Sequence, residues 1–579
     1  MKILFSVFLP VIGAILLFLL PRKNEIYQKY LAMFVAIAAF LLSVLACIGE
    51  SVETLPWLGG VFDFSIRAGG FAAYLLPFSA AALLLGIIHI VFGRYNREHV
   101  QSLLALQTCA AGAIVADSLA VLIFFTGLVP ICILFMLFSQ EKKDLKVLTP
   151  LFVAIMLLMT SVAITGYIAG TMGISNVADS RLTMNYGWSA AAYILSMMSA
   201  FYFMGVFPFI SIREMEISII PNNLRTYFAQ AMFVIGFSIM FKCGNMSYIV
   251  GNPATIFLKT FGLITFIIAS ISALATRNVP DLPQKILSAL AGLILFSASM
   301  PNTLPATMLI AMLATLGVYG FSMLSLSFDE KQNLYSSNKK PAIILLAIYA
   351  MMFSAIPPFG DAIRQSIAGV IREHNVLMLL ICAAQAILSA AILKCFFAEY
   401  SRQYDLSDNS IKNTTPTGIM NLILSGIPVL FLLCFSFGGE ISEQAFSMPF
   451  LETLSHNAEI PARGTVLVWL VYLLTFLASY VIYQICESSP EGTEKLGNYL
   501  SAIRLNRFLP KSVSAVSDTK TQERRRSLTK TLIWDWPQGI MEKLASLFTP
   551  MAESSMNTSL LLAMTVSIIL AILAATLKG

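Results

Sequence analysis

Residues 186–209 read YGWSAAAYILSMMSAFYFMGVFPF and decide the fold class, because this run contains no Asp, Glu, Lys, Arg or His. A helix rises about 1.5 Å per residue, so such a run crosses the roughly 30 Å hydrocarbon core of a bilayer. Similar runs recur from residue 3 to residue 577 with short polar breaks between them. Their even apolarity excludes the alternating pattern of a membrane β-barrel and predicts helical spans.

The composition agrees with a membrane location. Of the 579 residues, 58% are hydrophobic and 12% are charged, whereas a soluble protein carries about 25% charged residues. These values exclude an ordinary soluble enzyme. The net charge of +6 is modest and lies in loops, so no nucleic-acid partner is predicted.

We predict an all-α polytopic membrane protein with about sixteen transmembrane helices. The spans are expected at 3–20, 30–48, 71–92, 100–116, 119–138, 147–171, 186–209, 224–241, 254–275, 283–300, 303–325, 341–357, 374–398, 417–437, 464–486 and 557–577.

The distribution of positive charge predicts the orientation of the spans. If alternate loops are assigned to one side, that side carries 27 of the 37 Lys and Arg residues. The positive-inside rule places it in the cytoplasm. We therefore expect a multi-pass protein of the cell inner (cytoplasmic) membrane, with both termini on the outer face and the long loop 487–556 in the cytoplasm.

Proline breaks suggest internal symmetry. Span 7 runs into Pro208 and span 12 into Pro357, which lie 149 residues apart. This spacing predicts two inverted five-helix repeats, spans 4–8 and 9–13, with interrupted helices 7 and 12. The predicted divisions are helices 1–3 (1–99), the two repeats (100–243 and 254–400), helices 14–15 (401–486), an amphipathic strap (487–556) and a final helix (557–579).

Motifs for cofactor chemistry are absent from the sequence. The eight cysteines form no CxxC pair, and four histidines are too few and too scattered for a zinc or haem site. Neither a Walker loop nor a dinucleotide fingerprint is present. We expect no metal and no cofactor in this chain.

Short motifs along the chain resemble one known family. They are Pro10 with Gly13, Leu20-Pro21-Arg22-Lys23, Gly69 at the end of the loop 55–70, Phe207-Pro208-Phe209, Met232 with Gly236 and Lys242, Asp281-Leu282, Ile356-Pro357-Pro358-Phe359 followed by 387–400, and the tail 531–577. This pattern is similar to the antiporter-like membrane subunits of respiratory complex I, of the related membrane-bound nickel–iron hydrogenases and of Mrp-type cation/proton antiporters.

The resemblance also shows what has changed in this chain. The family's proton path uses a glutamate in helix 5, lysines in helices 7 and 8, and a histidine at the start of helix 8. These positions fall on Gly127, Phe203, Val234 and Phe228, and the helix 12 position falls on Gln365. Within the predicted spans, the charged residues are only Arg225, Lys259, Lys285 and Lys394. The resemblance therefore implies a retained fold that has lost its usual proton-path residues.

Seven residues remain as candidates for an ion path. Five of them have a simpler explanation: Lys394 could snorkel to the surface, Asp361 and Arg364 could form a local pair, and Arg225 and His89 could lie at the membrane interface. The full set is Lys394, Arg364, Gln365, Asp361, Arg225, Gln230 and His89.

The resemblance implies a membrane subunit of a complex I-like or hydrogenase-like energy-converting oxidoreductase, either structural or weakly coupled. Its partners would be other membrane subunits and the lipid bilayer, with protons or Na+ as the ions concerned. Two alternatives stay open: a stand-alone or Mrp-like secondary cation/proton transporter, and an assembly scaffold without transport.

Overall fold

The computed structural model describes most of the first 437 residues and one later helix. The described ranges are 2–21, 24–48, 51–57, 62–93, 95–138, 148–179, 186–220, 222–244, 252–276, 281–300, 304–327, 339–354, 375–405, 416–437 and 474–484.

Helices form nearly all of the described structure. The first ten are α1 (Lys2–Leu19), α2 (Glu25–Cys47), α3 (Phe71–Phe92), α4 (Arg97–Val115), α5 (Leu119–Phe138), α6 (Thr149–Ala169), α7 (Ile174–Asp179), α8 (Tyr186–Met204), α9 (Ile210–Ile219) and α10 (Asn222–Cys243). The others are α11 (Asn252–Leu274), α12 (Leu282–Ala298), α13 (Leu304–Met312), α14 (Val318–Ser327), α15 (Lys339–Phe353), α16 (Asn375–Asp405), α17 (Pro416–Phe437) and α18 (Leu474–Gln484).

The predicted all-α membrane architecture is confirmed at this level. In the described part of the chain, nine helical segments are long and apolar enough to cross a membrane. Large apolar side chains such as Phe18, Phe34 and Leu379 are exposed on the outside of the bundle, as expected for surfaces that face lipid or other membrane helices. The count of sixteen spans and the two repeats stay predictions.

The structure corrects the sequence prediction at three places around spans 7 and 8. Span 7 ends at Met204 instead of 209, because the chain breaks before Pro208. The stretch 210–225, predicted as a cytoplasmic loop, contains the helix α9. Helix α10 continues to Cys243, so Lys242 is a further charged residue inside a span and the predicted set of four was incomplete.

One helix carries a wider turn in its middle. Between α13 and α14, residues Leu313–Gly317 form a π-helical segment that is fully buried. Such segments are rare and insert one extra residue into a helical turn. Here the segment separates the two halves of predicted span 11 without breaking it.

A β-hairpin replaces much of the predicted loop 55–70. Strands β1 (Ser51–Trp57) and β2 (Phe62–Ala68) pair antiparallel, with Glu53 opposite Ile66. The Glu53 carboxylate accepts hydrogen bonds from the backbone N–H groups of Ile3, at 3.2 Å, and Leu4, at 3.1 Å. The hairpin therefore supplies acceptors to the first turn of α1, whose N–H groups have no partners within the helix.

The turn between α4 and α5 joins three parts of the chain. The backbone N–H of Asp117 donates to the carbonyl of Ser65 on β2, and the N–H of Ile174 donates to the carbonyl of Asp117. The N–H of Leu119 donates to the carbonyl of Met172. Ser118 caps α5, because its Oγ accepts a hydrogen bond from the N–H of Ala120.

Helices α11 and α12 approach each other through two glycines. A Cβ on Gly262 would lie 2.6 Å from the backbone N of Phe296, and a Cβ on Gly292 would lie 2.6 Å from the backbone N of Phe266. Only the lack of side chains allows this backbone approach, which is typical of small residues at membrane helix crossings.

Some predictions fall outside the described residues. These are the second proline break at 356–359, the strap 487–556 and the final helix 557–577.

We expect Gly292→Ala to destabilise the bundle by about 1–3 kcal/mol, because the new methyl group would push α11 away from α12. Gly426→Ala on α17 is the matched control, since a Cβ there meets no described atom within 4 Å. Thermal unfolding in detergent would measure both. Equal melting temperatures for the two variants would contradict the close glycine crossing.

The contact between Glu53 and α1 should weaken in acid. Partial burial by itself raises the pKa of the Glu53 carboxyl, but its hydrogen bonds at the start of α1 outweigh burial and hold the pKa below its ordinary value. The stabilisation is therefore present above the ordinary value, about 4.3, and is lost as the pH falls through the lowered pKa.

Hydrogen–deuterium exchange of the Ile3 and Leu4 amides, corrected for intrinsic rates, would test this dependence. We expect protection to fall below about pH 4 in the wild type. In Glu53→Gln, the protection should be weaker and independent of pH. If the Ile3 and Leu4 amides of Glu53→Ala were as protected as those of the wild type, the Glu53 carboxylate would not be their hydrogen-bond acceptor.

Candidate functional site

The chain is interrupted between α8 and α9. Gly205 has φ +72°, in the left-handed region that favours glycine, and the peptide bond between Phe207 and Pro208 is cis. The backbone N–H of Phe207 donates to Oγ1 of Thr265 on α11, at 3.1 Å. The helix then restarts at Ile210. The predicted interruption of helix 7 is therefore present and is anchored to a neighbouring helix.

Three ionisable or phenolic side chains meet beside this interruption, and we call them the triad: Tyr202, Arg213 and Glu216. Arg213 Nη1 lies 3.2 Å from Glu216 Oε2, and the Tyr202 hydroxyl donates to Glu216 Oε1. The Arg213 guanidinium also lies over the ring of Phe228 on α10, 4.8 Å from its centre. Arg213 is 4% exposed and Glu216 is 6% exposed, so the triad is buried.

The triad lies next to two of the predicted lost positions. Phe203 adjoins Tyr202, and Phe228 carries the guanidinium of Arg213 on its ring. Phe203, Phe228 and Val234 are all buried. At Gly127 on α5, an added Cβ would meet no described atom within 4 Å. Apolar side chains thus occupy three of these four positions, and the triad contacts two of them, Phe203 and Phe228.

A polar cleft of about 40 Å³ lies between α10, α12 and α14. Its polar lining comprises Arg225, Thr226, Gln230, Gln284, Tyr319 and Ser322. This volume has room for a few water molecules. The structure therefore places the predicted candidates Arg225 and Gln230 in one water-sized cleft, with Asp281 as the acidic neighbour of Arg225.

Buried polar groups continue inward from the cleft. Oε1 of Gln230 and the hydroxyl of Tyr319 are buried and have no hydrogen-bond partner in the described part of the chain. A Cβ on Gly86 would lie 3.1 Å from the Tyr319 hydroxyl and 3.9 Å from the ring of Tyr227. The Tyr227 hydroxyl donates to Gln107 Oε1, the oxygen that Ser79 also contacts, at 3.1 Å.

A second buried cation lies at the other end of α10. Lys242 is 3% exposed, donates a hydrogen bond to the carbonyl of Ala116 and lies 5.5 Å from the centre of the Phe71 ring. The neighbouring Asp117 accepts from the Ser65 hydroxyl, at 3.2 Å, and contacts Arg67, at 3.4 Å. Lys242 therefore ties α10 to the turn between α4 and α5.

Two lysines bind the C-terminal end of α11. Lys394 Nζ donates to the carbonyl of Leu274, at 3.1 Å. Lys285 Nζ donates to Oγ1 of Thr276, at 2.6 Å, and to the carbonyl of Ser272, at 3.3 Å. The last carbonyls of a helix lack internal partners and carry partial negative charge, which cations stabilise. Lys394 thus has a local structural role, and its predicted part in an ion path stays a prediction.

The other candidates are separate from this site. His89 on α3 lies beside the buried Asn421 of α17. Asp361, Arg364 and Gln365 lie outside the described residues. The structure therefore brings Arg225 and Gln230 together, and places Lys394 and His89 elsewhere.

The triad was missed from the sequence. The segment 210–225 lies between two predicted spans and was predicted to be a loop. The available signal was the spacing of Arg213 and Glu216, because an i, i+3 pair of opposite charge lies on one face of a helix.

The described part of the chain is a bundle of apolar membrane helices with a break between α8 and α9 and a buried ion pair beside the break. This fold is similar to chains of three solved membrane complexes.

A chain of the Mrp complex from Dietzia sp. DQ12-45-1b matches with a TM-score of 0.70 and 12% identity, over 100% of this chain and 63% of that chain. The present chain thus spans less than two thirds of the Dietzia chain.

Two other matches cover most of both chains. A chain of respiratory complex I from Thermus thermophilus matches with a TM-score of 0.66 and 16% identity, over 78% of this chain and 99% of that one. A chain of the membrane-bound sulfane sulfur reductase, an archaeal respiratory membrane complex, matches with a TM-score of 0.62 and 14% identity, over 74% and 94%. No protein-family pattern and no curated protein sequence matches this chain.

We expect Lys242→Met to lower the free energy of unfolding by about 1–3 kcal/mol, because the buried carbonyl of Ala116 would lose its donor. Lys29→Met is the matched control, since Lys29 pairs with Glu25 on the partly exposed surface of α2. The control should change stability by less than about 1 kcal/mol. Similar losses in both variants, measured by thermal unfolding in detergent, would contradict the role of Lys242.

Proposed function

We propose that this chain is an antiporter-like membrane subunit of a complex I-like or hydrogenase-like energy-converting oxidoreductase. The observation that carries the proposal is the fold, which the chain shares along 74–100% of its length with chains of three multi-subunit membrane complexes. Each of the three matched chains belongs to a membrane complex, which supports other membrane subunits as partners of this chain. Exposed apolar side chains on α1, α2 and α6 provide surfaces for lipid or for such neighbours.

The proposed role is structural or weakly coupled. Phe203, Phe228 and Val234 cannot exchange protons, and they stand where the resemblance places ionisable residues. Lys394, Arg364, Gln365 and the other predicted candidates stay proposed contributors to any path for protons or Na+. No cofactor is assigned to the chain, and electron transfer would belong to its partners.

The peripheral features form part of the same proposal. The protein would be a multi-pass protein of the inner membrane with both termini on the outer face. The loop 487–556 would lie in the cytoplasm as a strap along neighbouring subunits, since Trp534, Trp536 and Ile540 give it an amphipathic character.

A second candidate function is an Mrp-like cation/proton transporter. The match to a chain of the Dietzia Mrp complex favours it, because that match covers the whole of the present chain. A scaffold without transport would use the same packing surfaces. The three functions differ in which proteins accompany the chain and in whether ions move.

Extraction of the tagged chain in mild detergent, followed by mass spectrometry, would test the proposal. We expect hydrogenase-type or quinone-reductase-type subunits to co-purify in stoichiometric amounts. Recovery of other antiporter subunits without redox proteins would favour the second candidate. A chain that is isolated alone and transports cations in liposomes would contradict subunit membership.

Deletion of residues 515–545 would test the strap. We expect one or more membrane subunits to be lost on size-exclusion chromatography, while the deleted chain itself still inserts into the membrane. A complex of unchanged composition would argue against a bracing role for this loop.

A further inference from the structure

We propose that Glu216 is a proton-binding site, formed by this chain alone at the interruption between α8 and α9. Its carboxyl group takes up a proton from water and returns it to water, and Tyr202 and Arg213 hold the group in both states. The site goes beyond the proposed function, because it does not depend on which complex contains the chain.

The ionised state of Glu216 has the partners that it requires. Arg213 supplies the counter-charge at 3.2 Å, and the Tyr202 hydroxyl donates to the other carboxyl oxygen. A buried carboxylate without such partners would be strongly destabilising. Within a membrane protein, buried ionisable groups are rare and are functional by default.

The protonated state is also supported, and this distinguishes the triad from a simple ion pair. When Glu216 takes up a proton, Arg213 keeps its charge but loses its anion. The guanidinium would still lie over the Phe228 ring, 4.8 Å from its centre, and aromatic rings attract such cations. Protonation therefore does not leave Arg213 without an attractive partner.

Among the described residues, two polar side chains contact the Glu216 carboxyl group. Arg213 contacts it from the same helix, Tyr202 contacts it from α8, and α10 presents the ring of Phe228 next to the pair. The pH dependence of Glu216 protonation would therefore be determined mainly by Arg213 and Tyr202.

The triad lies near helix α12, which also lines the polar cleft. A Cβ on Gly205 would lie 3.2 Å from Cγ of Arg213 and 3.4 Å from Oγ of Ser288, so these two side chains share the space beside the glycine. Ser288 follows Leu287, which lines the cleft. Nη2 of Arg213 is buried and has no hydrogen-bond partner among the described residues, which leaves a donor for a water molecule.

An apolar carbodiimide tests the proposal, because dicyclohexylcarbodiimide adds to protonated carboxyl groups in apolar surroundings. The full-length protein, in its native membrane, would be treated at several pH values, and the peptide containing residues 210–220 would be analysed by mass spectrometry. We expect Glu216 to be modified, with a yield that falls as the pH rises. A water-soluble carbodiimide should modify it much less.

Two variants make the test specific. Glu216→Gln should abolish the modification, whereas Glu214→Gln should retain it, since residue 214 lies about 200° around the helix from residue 216. Tyr202→Phe removes a donor to the carboxylate, so the modification at a pH where the wild-type group is mostly ionised should rise about tenfold.

Absence of modification at Glu216 across the pH range, in the wild type and in Tyr202→Phe, would overturn the proposal and leave a static ion pair.

Infrared difference spectra between low and high pH provide a second measurement of Glu216 protonation if Glu216→Gln does not fold. A carboxylic acid band that shifts in Tyr202→Phe supports the proposal, and no such band contradicts it. If Glu216 is modified as expected but no redox subunits co-purify with the chain, the proposed subunit membership is rejected and the proton-binding site is retained.

Discussion

In a bundle surrounded by lipid, an ionised carboxyl group persists only if a cation and a hydrogen-bond donor reach it without water. Glu216 meets this condition through Arg213 and Tyr202, which come from opposite sides of a helix break. The break in turn requires the positive φ of Gly205 and the hydrogen bond between Phe207 and Thr265. The buried pair thus depends on the break, which brings Tyr202 near the end of α8 into contact with Glu216 on α9.

Low sequence identity and a shared fold are compatible here for a physical reason. The matched chains are 12–16% identical to this one, yet the TM-scores are 0.62–0.70. Apolar packing tolerates many substitutions that keep volume and hydrophobicity. Ionisable groups are not required for this packing, so they can occupy different positions in different chains.

The sequence predicted the all-α membrane architecture and the break at Pro208 because both depend on local properties, namely hydrophobic length and the missing N–H of proline. It did not predict that Arg213 and Glu216 are buried, since their burial depends on Tyr202 and Phe228, which lie on other helices. Lys242 was quoted as a motif residue, but its burial was not predicted, because its partner Ala116 is 126 residues away. The hairpin was also missed, because its strands are short and include polar residues whose partners are the start of α1 and the turn at 116–118.

The turn at 116–118 has a mechanical consequence. Its backbone is hydrogen-bonded to β2 on one side and to residues 172–174 on the other. Displacement of the hairpin would therefore shift the ends of α4, α5 and α6 as a unit, while Lys242 would transmit the same movement to α10. Relative sliding of these four helices would therefore first have to break the hydrogen bonds of the turn at 116–118.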